Sequence, residues 1–384
     1  MKELMSRRDV LKLGALGVLS LVSPQAILAT SPLEFLPSQG LNLIFVVGDG
    51  MPLGVIRAMH EISTGVLKKE GTNFYNLTKQ SGIALGYVGT KSLSSIVTDS
   101  APASTAWATG SKTANKMLAS LPDGRPLKTI MELLKEQGYA CGLVTTTRVT
   151  HATPAAWVSH QMDRDAEDEV ALDYLRFKPE VLLGGGSKHF DREMRKDKRD
   201  LFAEFIGVGY DIVKDRQSLL SEDLISSDKK LLGTFNRSHI SYYVDRVNNP
   251  ELGARQPSLA EMTTVALKKL SKYPKGFILQ VEAGRIDHAS HSNDAWGAIM
   301  DTVELDNTLG VINRFLGVNP NTLVIVTSDH GNSGWGINGT GPEYNDATEA
   351  LKKYASIKAS FEVIGKEMKG KGPKDIKGIF EYYT

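Results

Sequence analysis

The stretch Val97-Thr98-Asp99-Ser100-Ala101-Pro102-Ala103-Ser104-Thr105-Ala106-Trp107-Ala108-Thr109-Gly110 sets a serine hydroxyl directly after an aspartate and ahead of a run of small residues. Small side chains suit a tightly packed helix, and Ser100 would lie at its amino end. There the helix dipole favours an anion or a developing alkoxide. An Asp-Ser pair is also an ordinary helix cap, and on this pair alone the plainer role is preferred.

Carboxylates and imidazoles recur elsewhere, each time just past an apolar run. Asp49 follows Leu41 to Val47. Glu282 follows Gly276 to Val281, with Asp287 and His291 close behind, and Asp329 and His330 follow Thr322 to Thr327. Each alone has a bland explanation as an acidic cap, a turn aspartate or a surface histidine. Together, at three separate strand ends, they make coincidence a poor account. Asp287 and His291 stand four apart, so one helical turn brings both to a common point. Asp329 and His330 are adjacent, and neighbours on a strand face opposite ways, so they can share a metal only if the strand has already ended. Mixed Asp/His ligation suits Zn²⁺, whereas an oxygen-only shell of Asp and Glu suits Mg²⁺.

Positioning such groups requires strands that end together. Besides the three runs above, Ala140 to Val144 and Val181 to Leu183 read as short buried strands closed by turn residues. Leu127 to Glu136 and Asp294 to Phe315 have helical spacing. Ser258 with Glu261 three residues on forms a capping box for a helix running to Ser271. Strands alternating with helices predict an α/β fold, a mostly parallel central sheet with helices on both faces, with functional groups at the carboxyl ends of the strands. Residues 191–232 are more polar and irregular and are expected to form an insertion or cap. The Lys-rich tail from Ala347 to Lys369 reads as a solvated helix.

The first thirty residues stand apart. Met5-Ser6-Arg7-Arg8-Asp9-Val10-Leu11-Lys12 precedes the apolar run Leu13 to Val22, then Ser23-Pro24 and Ala29. A charged start, a short apolar core and a small residue at a cleavage point are the layout of an export signal over residues 1–29. The paired arginines resemble a twin-arginine signal, which would take the chain through that export machinery already folded. The run is too short to span a bilayer, which needs roughly 20 residues. A periplasmic or extracellular protein without stable membrane insertion is therefore expected. Forty-five basic against 44 acidic residues leave a net charge of +1, which gives no electrostatic reason to expect nucleic acid as partner. A single cysteine, Cys141, excludes an internal disulfide and any cysteine-cluster metal site.

Taken in order along the chain, the motifs resemble those of the alkaline phosphatases. Asp99-Ser100-Ala101 looks like the family's nucleophile motif and Gly48-Asp49-Gly50 like its first metal strand. Thr150-His151-Ala152-Thr153-Pro154-Ala155-Ala156, with Arg164 beyond it, is similar to the magnesium and phosphate-binding segment. Val281 to His291 and Ser328-Asp329-His330 are similar to the later metal motifs. The resemblance covers about Asn42 to Gly339 and implies an alkaline phosphatase-like catalytic domain within 41–384. It implies Ser100 as nucleophile through a phosphoserine, and Arg164 as the grip on two phosphate oxygens. One zinc would sit on Asp49, Asp329 and His330, and a second on Asp287 and His291. Magnesium would use Glu282, Thr153 and Asp49. The resemblance also sets Ser100 and His151 beside the metals.

Two departures are expected to matter. His151 and His288 stand where some members carry Asp and Lys, and a neutral imidazole in place of a carboxylate weakens magnesium and admits zinc or a transition metal. No histidine follows His330, although the family draws a third ligand for the Asp287/His291 zinc from that direction. A chain lacking its C-terminal portion is the expectation, with a two-ligand or substituted zinc as the rival. Phosphate monoesters are the expected substrates. A phosphodiesterase or sulfatase of the same superfamily, or an exported phosphate- or metal-binding protein with impaired catalysis, are the alternatives. The physiological substrate is not legible, and neither is the oligomeric state, for which a homodimer stays open.

Overall fold

The computed structural model describes Phe35, residues 39–339 and residues 344–384. The export signal expected over 1–29 lies outside the described residues. Seven strands form one sheet: β1 (Asn42–Gly48), β2 (Ala140–Arg148), β3 (Val181–Gly185), β4 (Tyr210–Val213), β5 (Lys230–Thr234), β6 (Phe277–Ala283) and β7 (Thr322–Ser328). Their order is β4-β5-β3-β2-β6-β1-β7, and every neighbouring pair is parallel.

Alternation along the strands sends side chains to two cores. Ile44 and Val46 of β1, with Leu279 and Val281 of β6, pack under helices that include Leu259–Leu270 and Ala295–Val318. Phe45 and Val47, with Cys141, Leu143 and Ile278, face the opposite layer, which includes Ser100–Thr109 and Glu167–Phe177. Both faces are thus covered, as the near-continuous apolar runs require of a parallel sheet. Burying each such aliphatic side chain contributes roughly 1.5–3 kcal/mol.

Six helices matter below: α1 (Ser100–Thr109), α2 (Ile130–Glu136), α3 (Leu259–Leu270), α4 (Arg285–His291), α5 (Ala295–Val318) and α6 (Phe361–Met368). Ser258 and Glu261 close the capping box of α3 as their spacing predicts, and Thr129 with Glu132 does the same for α2. Among the described residues no helix is long and apolar enough to cross a membrane.

The stretch 191–232 departs from expectation. It carries β4, most of its turn-rich surroundings and the start of β5, and these two strands extend the sheet at one edge. Strands of four and five residues between polar turns leave little periodicity to read. Only pairing reveals them, β5 beside β3 and β4 beside β5. The tail also differs: instead of one helix over 347–369, Ala347–Lys353, Phe361–Met368 and Pro373–Tyr383 are separate helices.

At the other edge, β7 alternates in burial. Val324 and Val326 pack on the first core, while Leu323 and Ile325 are 57% and 37% exposed.

Candidate metal and nucleophile site

Register brings the site together. Gly48 lies opposite Ala283 on one side and Ser328 on the other, so β1, β6 and β7 end at one level. Asp49, Glu282 and Asp329 therefore arrive at a common point from three strands. The strand β7 ends at Ser328, which frees Asp329 and His330 from opposite-facing geometry. His330 Nε2 lies 3.3 Å from Asp329 Oδ2 and 3.7 Å from Asp49 Oδ1. Asp329 is oriented by the backbone N–H groups of Gly50 and His330, each donating to Oδ1 at 2.9 Å. Gly50 sits at φ +58, and a Cβ there would fall 2.4 Å from Asp287 Oδ1. Only glycine permits that close approach.

Glu282 is fully buried beside β2. Thr145, its cross-strand partner, donates through Oγ1 to Oε2, and Thr147 Oγ1 donates to the same oxygen at 3.2 Å. Thr153 Oγ1 donates to Asp49 Oδ2 at 3.4 Å. On α4, His291 Nε2 stands 3.5 Å from Asp287 Oδ2, as their spacing predicts, and Asn332 Nδ2 donates to Asp287 Oδ1 at 2.7 Å. His291 remains largely exposed, at 68%.

Among the described residues, two groups of three could hold a cation: Asp49, Asp329 and His330, and Asp49, His151 and Glu282. Asp287 and His291 belong to neither. The charge balance asks for cations. Asp49 Oδ1, Asp329 Oδ2 and Glu282 Oε1 are buried without a hydrogen-bond partner. Burial, then the neighbouring Asp329, Asp287 and Glu282, push the Asp49 carboxyl well above the carboxylate range. Burial likewise pushes Glu282 up to about 7, and it raises Asp287. Several unpaired carboxylates in one buried site are costly, and bound divalent ions relieve that cost. The donors of these two groups therefore suit bound divalent cations.

Ser100 opens α1 and is 4% exposed, with Oγ 3.5 Å from Asp49 Oδ2. Asp99 caps the helix by accepting from the Ala101 N–H at 2.7 Å, and Gly110 closes it in the left-handed region. The cap thus falls on Asp99, and the Ser100 hydroxyl faces the acids. The small residues let α1 press against 152–155, where Ser104 Oγ donates to the Thr153 carbonyl at 2.7 Å.

Arg164 Nη1 reaches Asp99 Oδ1 at 3.2 Å, and Nη2 donates to His151 Nε2 at 2.9 Å. The contact of Arg164 with Asp99, the threonines on Glu282, and Asn332 are not among the expectations from the sequence. His239 was not found either. Its ring stands 5.5 Å from that of His151 and 4.4 Å from that of His288, and His151 and His288 are 5.4 Å apart. Burial, then nearby arginines and the neighbouring histidines, pushes all three imidazoles below the usual histidine range. The lone thiol is no rival nucleophile, since burial pushes Cys141 up to about 12.

A family model described as alkaline phosphatase matches residues 41–372. Alkaline phosphatase 3 of Bacillus subtilis is 36% identical over 321 residues, covering 81% of this chain and 65% of its own length. The crystal structure of Thermus thermophilus alkaline phosphatase superposes with a TM-score of 0.84 at 37% identity, covering 93% of this chain and 75% of that one. A variant of the TAB5 alkaline phosphatase with Mg bound in its M3 site is 29% identical with a TM-score of 0.67, covering 79% of this chain and 82% of that one. The chain spans about two thirds to four fifths of the length of these similar proteins.

Proposed function

Because this chain belongs to the alkaline phosphatase family, we propose that it is an exported, metal-dependent hydrolase of phosphate monoesters acting through a phosphoserine on Ser100. One observation carries the reading: the buried Ser100 Oγ, at the amino end of α1, lies 3.5 Å from Asp49 Oδ2, and Asp49 is common to both cation-binding groups.

Asp49, Asp329 and His330 would hold one zinc, and Asp287 with His291 a second. Asp49, Thr153 and Glu282, with His151 beside them, would hold a third ion, magnesium or a transition metal. When bound, such ions lower the pKa of a hydroxyl and neutralise charge on phosphoryl and leaving oxygens. The chain's own residues do the rest. Ser100 Oγ attacks phosphorus, the bond from phosphorus to the ester oxygen breaks, and the alcohol leaves with a proton. Water then opens the phosphoserine, releasing inorganic phosphate and restoring the hydroxyl. Arg164, oriented by Asp99 and His151, offers parallel donors to two phosphoryl oxygens, a geometry lysine cannot match. Export rests on the twin-arginine pattern of residues 5–12, which suits a protein that loads metal before it crosses the membrane.

A colorimetric phosphomonoester assay with added Zn²⁺ and Mg²⁺, beside a phosphodiester and a sulfate ester, tests the reading. Preferred turnover of the monoester is expected. Faster diester or sulfate hydrolysis would move the chain to a related hydrolase, and tight phosphate binding without turnover would leave a binding protein.

A further inference from the structure

The helix α6 comes from the far end of the chain yet is tied down beside α4. Ser360 N and Oγ donate to the Asp245 carboxylate at 2.7 and 2.8 Å, and Phe361 N donates to Asp294 Oδ2 at 2.7 Å. Trp296 Nε1 donates to the Ile357 carbonyl at 2.9 Å just before it. These bonds fix Glu362 in the first turn of α6, where its Oε2 accepts from Arg285 Nη2 at 2.6 Å. Arg285 opens α4, the helix of Asp287 and His291. Its side chain is 6% exposed, its guanidinium lies 3.7 Å from the centre of the Tyr242 ring, and its Nη1 donates to His288 Nδ1 at 2.9 Å.

That last bond sets a tautomer. A guanidinium has donors only and keeps its proton, so His288 Nδ1 must accept and the ring hydrogen must sit on Nε2. The His288 ring stands edge-on to His151, whose Nε2 accepts from Arg164. A continuous series of contacts therefore joins Glu362 to Arg164.

Resting on the phosphomonoesterase reading above, we propose that Arg285 and Glu362 are positioning residues for the phosphate grip. They hold His288 in one orientation and one tautomer, and His288 packed on His151 holds the Arg164 guanidinium. Neither residue touches the reacting atoms. Three engagements at once, with a carboxylate, an imidazole nitrogen and an aromatic face, need the planar fork of arginine; a lysine ammonium meets only part of them.

Metal-loaded parent, Arg285→Met, Arg285→Lys and Glu362→Gln proteins provide the test. Nitrogen-15 NMR of the histidine rings should show His288 with its hydrogen on Nε2 in the parent and a mixture of tautomers in Arg285→Met. Calorimetric titration with inorganic phosphate should show binding weakened about tenfold in Arg285→Met, near the lower end of what a charge-assisted hydrogen bond to phosphate is worth. The loss should be smaller in Glu362→Gln and partly recovered in Arg285→Lys. Variants that are folded and less heat-stable, yet keep the parent tautomer and phosphate affinity, would reduce the pair to a structural contact and overturn the proposal. A parent His288 with its hydrogen on Nδ1 overturns it directly. Should Arg285→Met fail to fold, Glu362→Gln decides by the same two measurements. A parent that binds phosphate but hydrolyses no monoester would sink the functional reading alone, since tautomer and phosphate affinity still judge the positioning role.

Discussion

In the proposed mechanism Ser100 and Arg164 carry different parts of the chemistry, and substitution should separate them. Acid quenching with labelled phosphate should trap a phosphoserine at Ser100, and Ser100→Ala should abolish the label while leaving slow hydrolysis, because bound metal can still activate water. Label at another residue would refute the assignment. Arg164 contacts Asp99 and His151 but none of the carboxylates that fit metal. Arg164→Ala should therefore keep its metal content by elemental analysis and lose roughly 1.5–3 kcal/mol of phosphate affinity, the worth of a charge-assisted bond. Phosphate bound as tightly as by the parent would point to a different clamp. The Asp-Ser pair shows why composition alone undersells a site: as a cap it was ambiguous, and only the 3.5 Å approach to Asp49 joins Ser100 to the acids.

At the level of elements, the ends of β1, β6 and β7 concentrate acids that fold together at a cost when metal is absent. Burial holds Glu282 at about 7 against an ordinary 4.5. A folded value above the unfolded one means that this group's contribution is fully present below pH 4.5 and is lost as pH rises through about 7. That rise in pKa corresponds to about 3 kcal/mol. Asp49 and Asp287 are raised too and act in the same direction. Metal-free protein should therefore lose thermal stability between about pH 4.5 and 7 relative to metal-loaded protein; parallel melting profiles for the two forms would contradict this. The β7 edge makes a separate prediction. Among the described residues β7 is an edge strand on which Leu323 and Ile325 are apolar and exposed, a template for pairing with other chains. Leu323→Lys with Ile325→Lys should reduce concentration-dependent light scattering and change the melting temperature little. Unchanged scattering would clear this edge.

Across the whole molecule the metal donors are unequal. Asp49, Asp329 and His330 converge, whereas Asp287 pairs with a largely exposed His291 and lies in neither group of three. Catalytic zinc usually has three protein ligands. The 384-residue chain should bind one zinc tightly and a second weakly in equilibrium dialysis, with activity rising steeply at high free zinc. Two zinc ions held with equal tightness would mean that another residue completes the second site.

Local chemistry determined much of this by itself. A capping box such as Ser258–Glu261 spans one turn, and Asp287 and His291 meet because a helix repeats every few residues, so both are legible from spacing. Apolar runs ending at Asp49, Glu282 and Asp329 announce strands whose last residues are polar. What spacing cannot carry is pairing. The strands of 191–232 are defined only by pairing, β5 beside β3 and β4 beside β5, since strands so short have no pattern of their own. Thr145 meets Glu282 because β2 and β6 share a register. His239 joins His151 and His288, and Glu362 reaches Arg285, across long separations in the chain that no periodicity encodes. Those contacts exist because parallel strands and the helices packed on them bring distant segments to one end of the sheet. Tertiary packing alone decided which polar groups near the site have partners and which buried oxygens are left for a cation.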